Sequence, residues 1–154
     1  MTATDASKPS LETRALRYLA RREYSRRELE KKLSAHEQSP QALSSLLDQL
    51  EQNGYLSTER FAEQAARTRR PRFGSQRIVR ELKEKGVDAH LIADILPDLK
   101  ETDLETARQI WQKKFGVPPS DLKERGKQIR FLMNRGFSPD IIHQVLSQAE
   151  KDNR

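Results

Sequence analysis

The chain has 154 residues, with 29 Lys and Arg against 23 Asp and Glu, for a formal charge of +6. Cysteine is absent, which excludes disulfide frameworks, thiolate zinc sites and cysteine nucleophiles, and the 34% of hydrophobic residues is a thin inventory for one large core. No run approaches the 18 apolar residues of a membrane span, and MTATDASKPS at the start lacks the apolar stretch of a secretory signal, so a soluble, cytoplasmic protein with no membrane partner is expected.

Apolar residues recur at three- and four-residue spacing almost throughout, without a convincing alternating strand, so the expected fold class is all-α. A first helix is predicted over 11–22. The second begins near Ser25, where Glu28 completes a capping box, and the third at Ser39, with Pro40 supplying the preset φ of a first helical position. The series then restarts with a helix over 57–70, another near Ser75 and a third at Asp88. A last round runs from a helix over 103–115, opened by a Thr102–Glu105 capping box, through one near Asp121 to one at Ser138 and Pro139. Gly86 and Gly136 fall where a left-handed residue would close the second helix of the later rounds.

The side chains keep the same period. Leu43, Leu46, Leu47 and Leu50 move by 49 residues onto Ile92, Ile95, Leu96 and Leu99, and by 50 more onto Ile142, Val145, Leu146 and Ala149. Leu29 and Leu33 land on Ile78 and Leu82, and Leu82 on Leu132. In the first helices the register slips to 46, bringing together Ala15, Phe61 and Ala107, then Leu19, Ala65 and Trp111. Modules of about fifty residues hide such stripes poorly alone. The expectation is therefore an elongated array of three tandem three-helix repeats over 10–54, 55–100 and 101–149, with residues 1–9 and 150–154 frayed.

Charge follows the repeat too: residues 8–33, 60–85 and 110–137 carry +5, +6 and +5, whereas 34–59 and 86–109 each carry −4. Modules stacked in equivalent orientation would present a basic stripe from their first and second helices, suited to a long acidic ligand. The plain alternative is solvated helix faces with pairs such as Glu28 with Lys32 and Glu81 with Lys85. The densest cluster is Arg67, Arg69, Arg70 and Arg72, followed by Phe73 and Gly74 at a joint between two helices. Guanidinium groups bind phosphate or carboxylate in bidentate fashion.

The segments ALRYLARREYSRRELEKKL (15–33), GYLSTERFAEQAARTR (54–69), FGSQRIVRELKEKGV (73–87) and QIRFLMNRGFSPDII (128–142) together resemble the RecX family, regulators of the RecA recombinase. They cover most of residues 11–149 in family order. Pro71 and Arg72 depart from the small and glycine residues common before FGSQRI, and Ser57-Thr58 from the acidic pair common after GYL. The resemblance implies an elongated array of three three-helix repeats and a non-enzymatic regulator without cofactors. Such a regulator binds RecA, free or as a filament on single-stranded DNA, lodges in the filament groove and suppresses ATPase, coprotease and strand-exchange activities. Some relatives also bind DNA.

On that footing the candidate contacts are Arg67, Arg69, Arg70, Arg72, Arg77 and Arg80 in the middle repeat and Lys127, Arg130 and Arg135 in the third. The N-terminal candidates are Arg21, Arg22, Arg26 and Arg27. Basic surface could meet DNA phosphates or acidic RecA surface. A monomer is expected, because the basic face would repel a second copy. Tyr18, Tyr55, Phe61, Trp111, Phe115, Phe131 and Phe137 are read as core packing, with Phe73 left open. His36, His90 and His143 are isolated, which gives no metal ligand set, and no phosphate loop or catalytic triad is visible. Asp94 and Asp98 read as surface groups, which leaves a nuclease without its metal carboxylates. The main rival is a helix-turn-helix-like DNA-binding module acting without RecA, and a general helical scaffold stands behind it.

Overall fold

A computed structural model describes residues 8–37 and 39–154; residues 1–7 of the frayed start expected over 1–9 lie outside the described residues. Among the described residues there are eight α-helices, one 3-10 turn and no strand. The helices are α1 (Leu11–Arg21), α2 (Arg26–Leu33), α3 (Pro40–Gln52), α4 (Thr58–Arg69), α5 (Ser75–Glu84), α6 (Ala89–Lys114), α7 (Leu122–Asn134) and α8 (Pro139–Asp152), and the 3-10 turn (Ser34–His36) follows α2. None of the described helices is long and apolar enough to cross a membrane.

The start signals act as read. Ser39, Asp88 and Ser138 accept from the amides of Ala42, Leu91 and Ile141, satisfying one orphan donor in each first turn. Ser25 and Glu28 form the full capping box, and Asp121 accepts from the Glu124 amide. Gly86 and Gly136 take the left-handed conformation at φ 85° and 95°.

Four expectations are corrected. The helix expected to begin at 103 does not start there, because α6 runs unbroken from Ala89 to Lys114 through Pro97. Thr102 is therefore inside a helix; its hydroxyl lies 3.1 Å from the Asp98 carbonyl, where a cap would need extended backbone and a free amide ahead. The apolar spacing explains the fusion, since Leu99, Asp103, Ala107 and Trp111, four apart, are all buried. The tail is also more ordered than expected, as α8 continues to Asp152 and the Gln148 amide bonds the Asp152 carboxylate at 2.9 Å. Glu28 pairs with Arg22 and Lys85 in place of Lys32, and Glu81 with Arg69 in place of Lys85. Finally, Tyr55 is 57% exposed: Gly54 turns the chain at φ 79°, and the next residue, Leu56, takes the buried place.

The chain divides into two compact units. Unit 1 comprises residues up to Gln64 together with Lys85–Val87, and unit 2 comprises Ala65–Glu84 and Asp88–Arg154. In unit 1, Ala15, Leu29, Leu33, Leu43, Leu46, Leu47, Leu50 and Leu56 form one apolar cluster with Tyr24. In unit 2, α6 packs on α5, α7 and α8. Ala107 and Trp111 of α6 meet Leu132, Phe137, Ile142, Val145 and Leu146 there. The repeat-equivalent Ala15, Phe61 and Ala107 are all buried, as are Leu33, Leu82 and Leu132.

Candidate functional site

Unit 2 carries the dense middle cluster, and its arginines divide into two kinds. Arg70, with a side chain 17% exposed, turns inward. It donates to the Asp103 carboxylate at 2.8 Å, the Leu99 carbonyl at 2.6 Å and the Thr102 hydroxyl at 2.7 Å. Asp103 is 5% exposed and also accepts from the Ser75 amide at 2.9 Å and the Ser75 hydroxyl at 2.5 Å. A buried carboxylate of this kind is tolerable because three donors, one of them the Arg70 guanidinium, meet it. Arg69 forks onto Glu81, with Nε and Nη2 at 3.0–3.1 Å from the carboxylate oxygens, and so ties the end of α4 to α5. Arg67, Arg72 and Arg80 are exposed and make no ion pair among the described residues.

The joint between α4 and α5 sits directly on the turn between α7 and α8. The Gly74 amide donates to the Arg135 carbonyl at 2.7 Å, and the Gln76 amide to the Gly136 carbonyl at 3.1 Å. Only glycines permit this approach, because a Cβ on Gly74 would stand 2.4 Å from the Gly136 oxygen. The two backbones bring Phe73, Arg77 and Arg135 together. Arg77 lies over the Phe73 ring at 4.0 Å and donates to the Asn134 carbonyl at 3.0 Å. Arg135 stands 5.6 Å from Phe73 and 5.0 Å from Phe131, and donates to the Arg72 carbonyl at 3.3 Å. Lys114 lies 5.6 Å from Phe131, which also meets Phe115 edge-on at 5.3 Å. Cations and rings thus alternate along one side of unit 2, with guanidinium planes fixed by a ring on one face and a carbonyl at one edge. Phe73, left open by its sequence context, is half-buried in this ladder. Of the remaining third-repeat candidates, Lys127 is exposed on α7, and Arg130, also exposed, lies over Gly126.

Unit 1 treats its basic residues similarly. Arg26 bridges from α2 to Asp48 at 2.7 Å and Glu51 at 3.1 Å on α3. Arg22 stacks on Tyr24 at 3.6 Å and forks onto Glu28. Burial works against both charges, but these carboxylates outweigh it and hold the Arg22 and Arg26 guanidiniums above their ordinary value. Burial alone would raise the Glu28 carboxyl; hydrogen bonds from Arg22, the Ser25 amide and Lys85, with the charge of Arg22, hold it below its ordinary range. Arg21 is exposed without an ion pair among the described residues, and Arg27 is exposed on α2 beside Gly86.

Two residues that organise the site escaped the sequence reading. Asp103 breaks an apolar stripe at four-residue spacing, and Gln128 occupies the repeat position of Leu29 and Ile78. Gln128 is 1% exposed, accepts from the Trp111 indole at 2.7 Å and donates to the Val117 carbonyl at 3.1 Å. In each case a polar residue in a core register was the available signal. His36, His90 and His143 are exposed, and no cluster of three metal-ligating side chains occurs among the described residues.

The chain as a whole has known relatives. Models of the first, second and third three-helix domains of RecX match residues 13–50, 59–96 and 101–146. The last two matches are separated only by residues 97–100, inside α6. The regulatory protein RecX of Leptothrix cholodnii is 44% identical over 98% of this chain and 96% of its own length. That of Ralstonia pickettii is 41% identical over 92% and 89%. Among solved structures, RecX from Lactobacillus salivarius superposes with a TM-score of 0.76 at 21% identity, covering 92% of this chain and 95% of that one.

Proposed function

The chain belongs to the RecX family of regulatory proteins, and we propose that it regulates a RecA recombinase by binding the protein and its filament on single-stranded DNA. In this reading it is a monomeric, non-enzymatic inhibitor. It lodges in the filament groove and restrains the motions coupled to ATP turnover, so that ATPase, strand-exchange and coprotease activities fall together. Support comes from the family match across three successive domains and from the sorting of the cations into committed and available groups.

The observation that carries the mechanism is this sorting. Arg69, Arg70 and Arg26 hold helices to one another, and Arg22, Arg77 and Arg135 are each fixed on one face by a ring. Arg67, Arg72 and Arg80, with Lys127 and Arg130, are exposed, and they supply the contacts to the filament in this reading. Arg21 is the unit 1 contribution. Cationic surface on both units makes the second contact effectively intramolecular once the first has formed, so individually weak contacts add.

The test is binding to RecA assembled on a fluorescent single strand, with the same strand lacking RecA as a parallel arm. The triple reversal Arg67→Glu, Arg72→Glu, Arg80→Glu is expected to weaken filament binding by roughly tenfold or more while helicity is unchanged. Undiminished binding removes these arginines from the mechanism. Strong binding of the wild-type chain to the bare strand, with none to RecA, would replace the reading with an independent DNA-binding module.

A further inference from the structure

The joint between α6 and α7 is held rigidly and yet displays apolar side chains. The amides of Phe115 and Gly116 both donate to the Trp111 carbonyl, at 2.8 and 3.2 Å, and Gly116 turns the chain at φ 69°. Gln128 reaches up from α7 to hold the Val117 carbonyl while its other end holds the Trp111 indole. Pro118 and Pro119 have preset φ, and Asp121 caps α7 through the Glu124 amide at 2.8 Å. Between these anchors Val117 is 63% exposed and Leu122 is 86% exposed.

An exposed leucine is ordinary by itself. Here, however, a buried glutamine in a core register fixes the backbone that carries the exposed pair, so little ordering is left to oppose binding. The electrostatic setting narrows the partner. Lys113 and Lys114 close α6, and Lys123 and Lys127 lie on the first turns of α7; all four are exposed and in no ion pair among the described residues. The acids of the same stretch, Asp121 at its cap and Glu124 beside Gln128, are fewer than the lysines and leave a net positive charge. Two exposed aliphatic side chains flanked along the chain by four exposed lysines complement a protein surface with an apolar centre and a carboxylate rim. A phosphate backbone has no use for Val117 or Leu122, and one loop residue with the first residue of α7 lacks the continuous apolar face with which an interfacial helix enters lipid.

We propose that the α6–α7 joint is a protein-docking surface that takes an acidic, apolar-centred segment of the recombinase. This rests on the functional reading above and adds a partner-facing surface distinct from the arginine cluster. The experiment compares the wild-type chain with Val117→Ser/Leu122→Ser and with Lys113→Gln/Lys123→Gln for binding to purified RecA without DNA, to bare single-stranded DNA and to anionic phosphatidylserine vesicles. Because the serine variant changes only exposed side chains, its melting temperature is expected to stay within about 2 °C of wild type. Its affinity for RecA is expected to fall at least about tenfold, and the fold-loss to persist when salt is raised, whereas the glutamine variant loses affinity chiefly at low salt. Unchanged RecA affinity of the serine variant overturns the docking surface and leaves the functional reading standing. A loss confined to DNA or vesicles also overturns it. If the wild-type chain fails to bind RecA, both fall together.

Discussion

Ser75 opens α5 with its amide 2.9 Å and its hydroxyl 2.5 Å from the carboxylate of Asp103 on α6. The residue before it, Gly74, has no side chain with which to cap the helix, so a distant aspartate takes that role. The next orphan donor, the Gln76 amide, goes to the Gly136 carbonyl. The start of α5 is therefore defined by tertiary structure, and Arg70 closes the same node.

Asp103→Ala leaves the Arg70 guanidinium without its counter-charge and is expected to destabilise the chain by about 3–5 kcal/mol, read from urea unfolding. The double variant Arg70→Met/Asp103→Leu is expected to recover part of that loss, since no buried charge then lacks a partner although the Ser75 amide and hydroxyl still lose their acceptor. A double variant as unstable as the single one would show that the node matters through Ser75 alone.

The glycines separate conformational strain from collision. Gly54 has φ 79° and open space where a Cβ would stand, so Gly54→Ala is expected to cost about 1–2 kcal/mol from the left-handed backbone alone. At Gly136, φ is 95° and a Cβ would lie 2.4 Å from the Arg77 Cβ, so Gly136→Ala adds a collision to the strain. It is expected to exceed Gly54→Ala by about 1–3 kcal/mol in thermal unfolding.

Glu28 gives unit 1 a dependence on pH. Its carboxyl is held below the ordinary glutamate range in the folded chain, so the folded state favours the ionised form. The resulting stability is complete above the unfolded value and is lost as pH falls through the lowered folded one. Glu28→Gln is expected to destabilise the chain at neutral pH and to flatten the acid limb of stability against pH. An acid limb parallel to that of the wild type would contradict the assignment.

Two arginines three residues apart make opposite predictions. Arg70→Glu places a carboxylate against Asp103 and is expected to lower the melting temperature markedly. Arg67→Glu, on an exposed side chain, is expected to leave melting nearly unchanged and to weaken filament binding. Circular dichroism on heating, run beside the binding assay, separates structural from contact arginines.

This division marks the limit of what the sequence discloses. Helix starts at Ser39, Asp88 and Ser138 were legible because a cap depends on the local backbone, and the closing glycines Gly86 and Gly136 for the same reason. The buried repeat of Leu33, Leu82 and Leu132 followed from periodicity. Partner choice was not legible. Glu28 finds Lys85, 57 residues away, before Lys32 on its own helix, because a long-range contact brings Lys85 to it. Arg70 and Arg72 read alike in sequence, yet one is sunk against Asp103 and the other is exposed. The Thr102 cap failed because an apolar stripe continued across it, which favoured one long helix over two short ones.

The regulatory role is tested most directly by ATP hydrolysis of RecA on single-stranded DNA, followed while this chain is added at ratios below one per recombinase. The expected result is suppression at substoichiometric amounts, blunted in the Arg67→Glu, Arg72→Glu, Arg80→Glu variant. Hydrolysis unaffected by the wild-type chain at every ratio would contradict it.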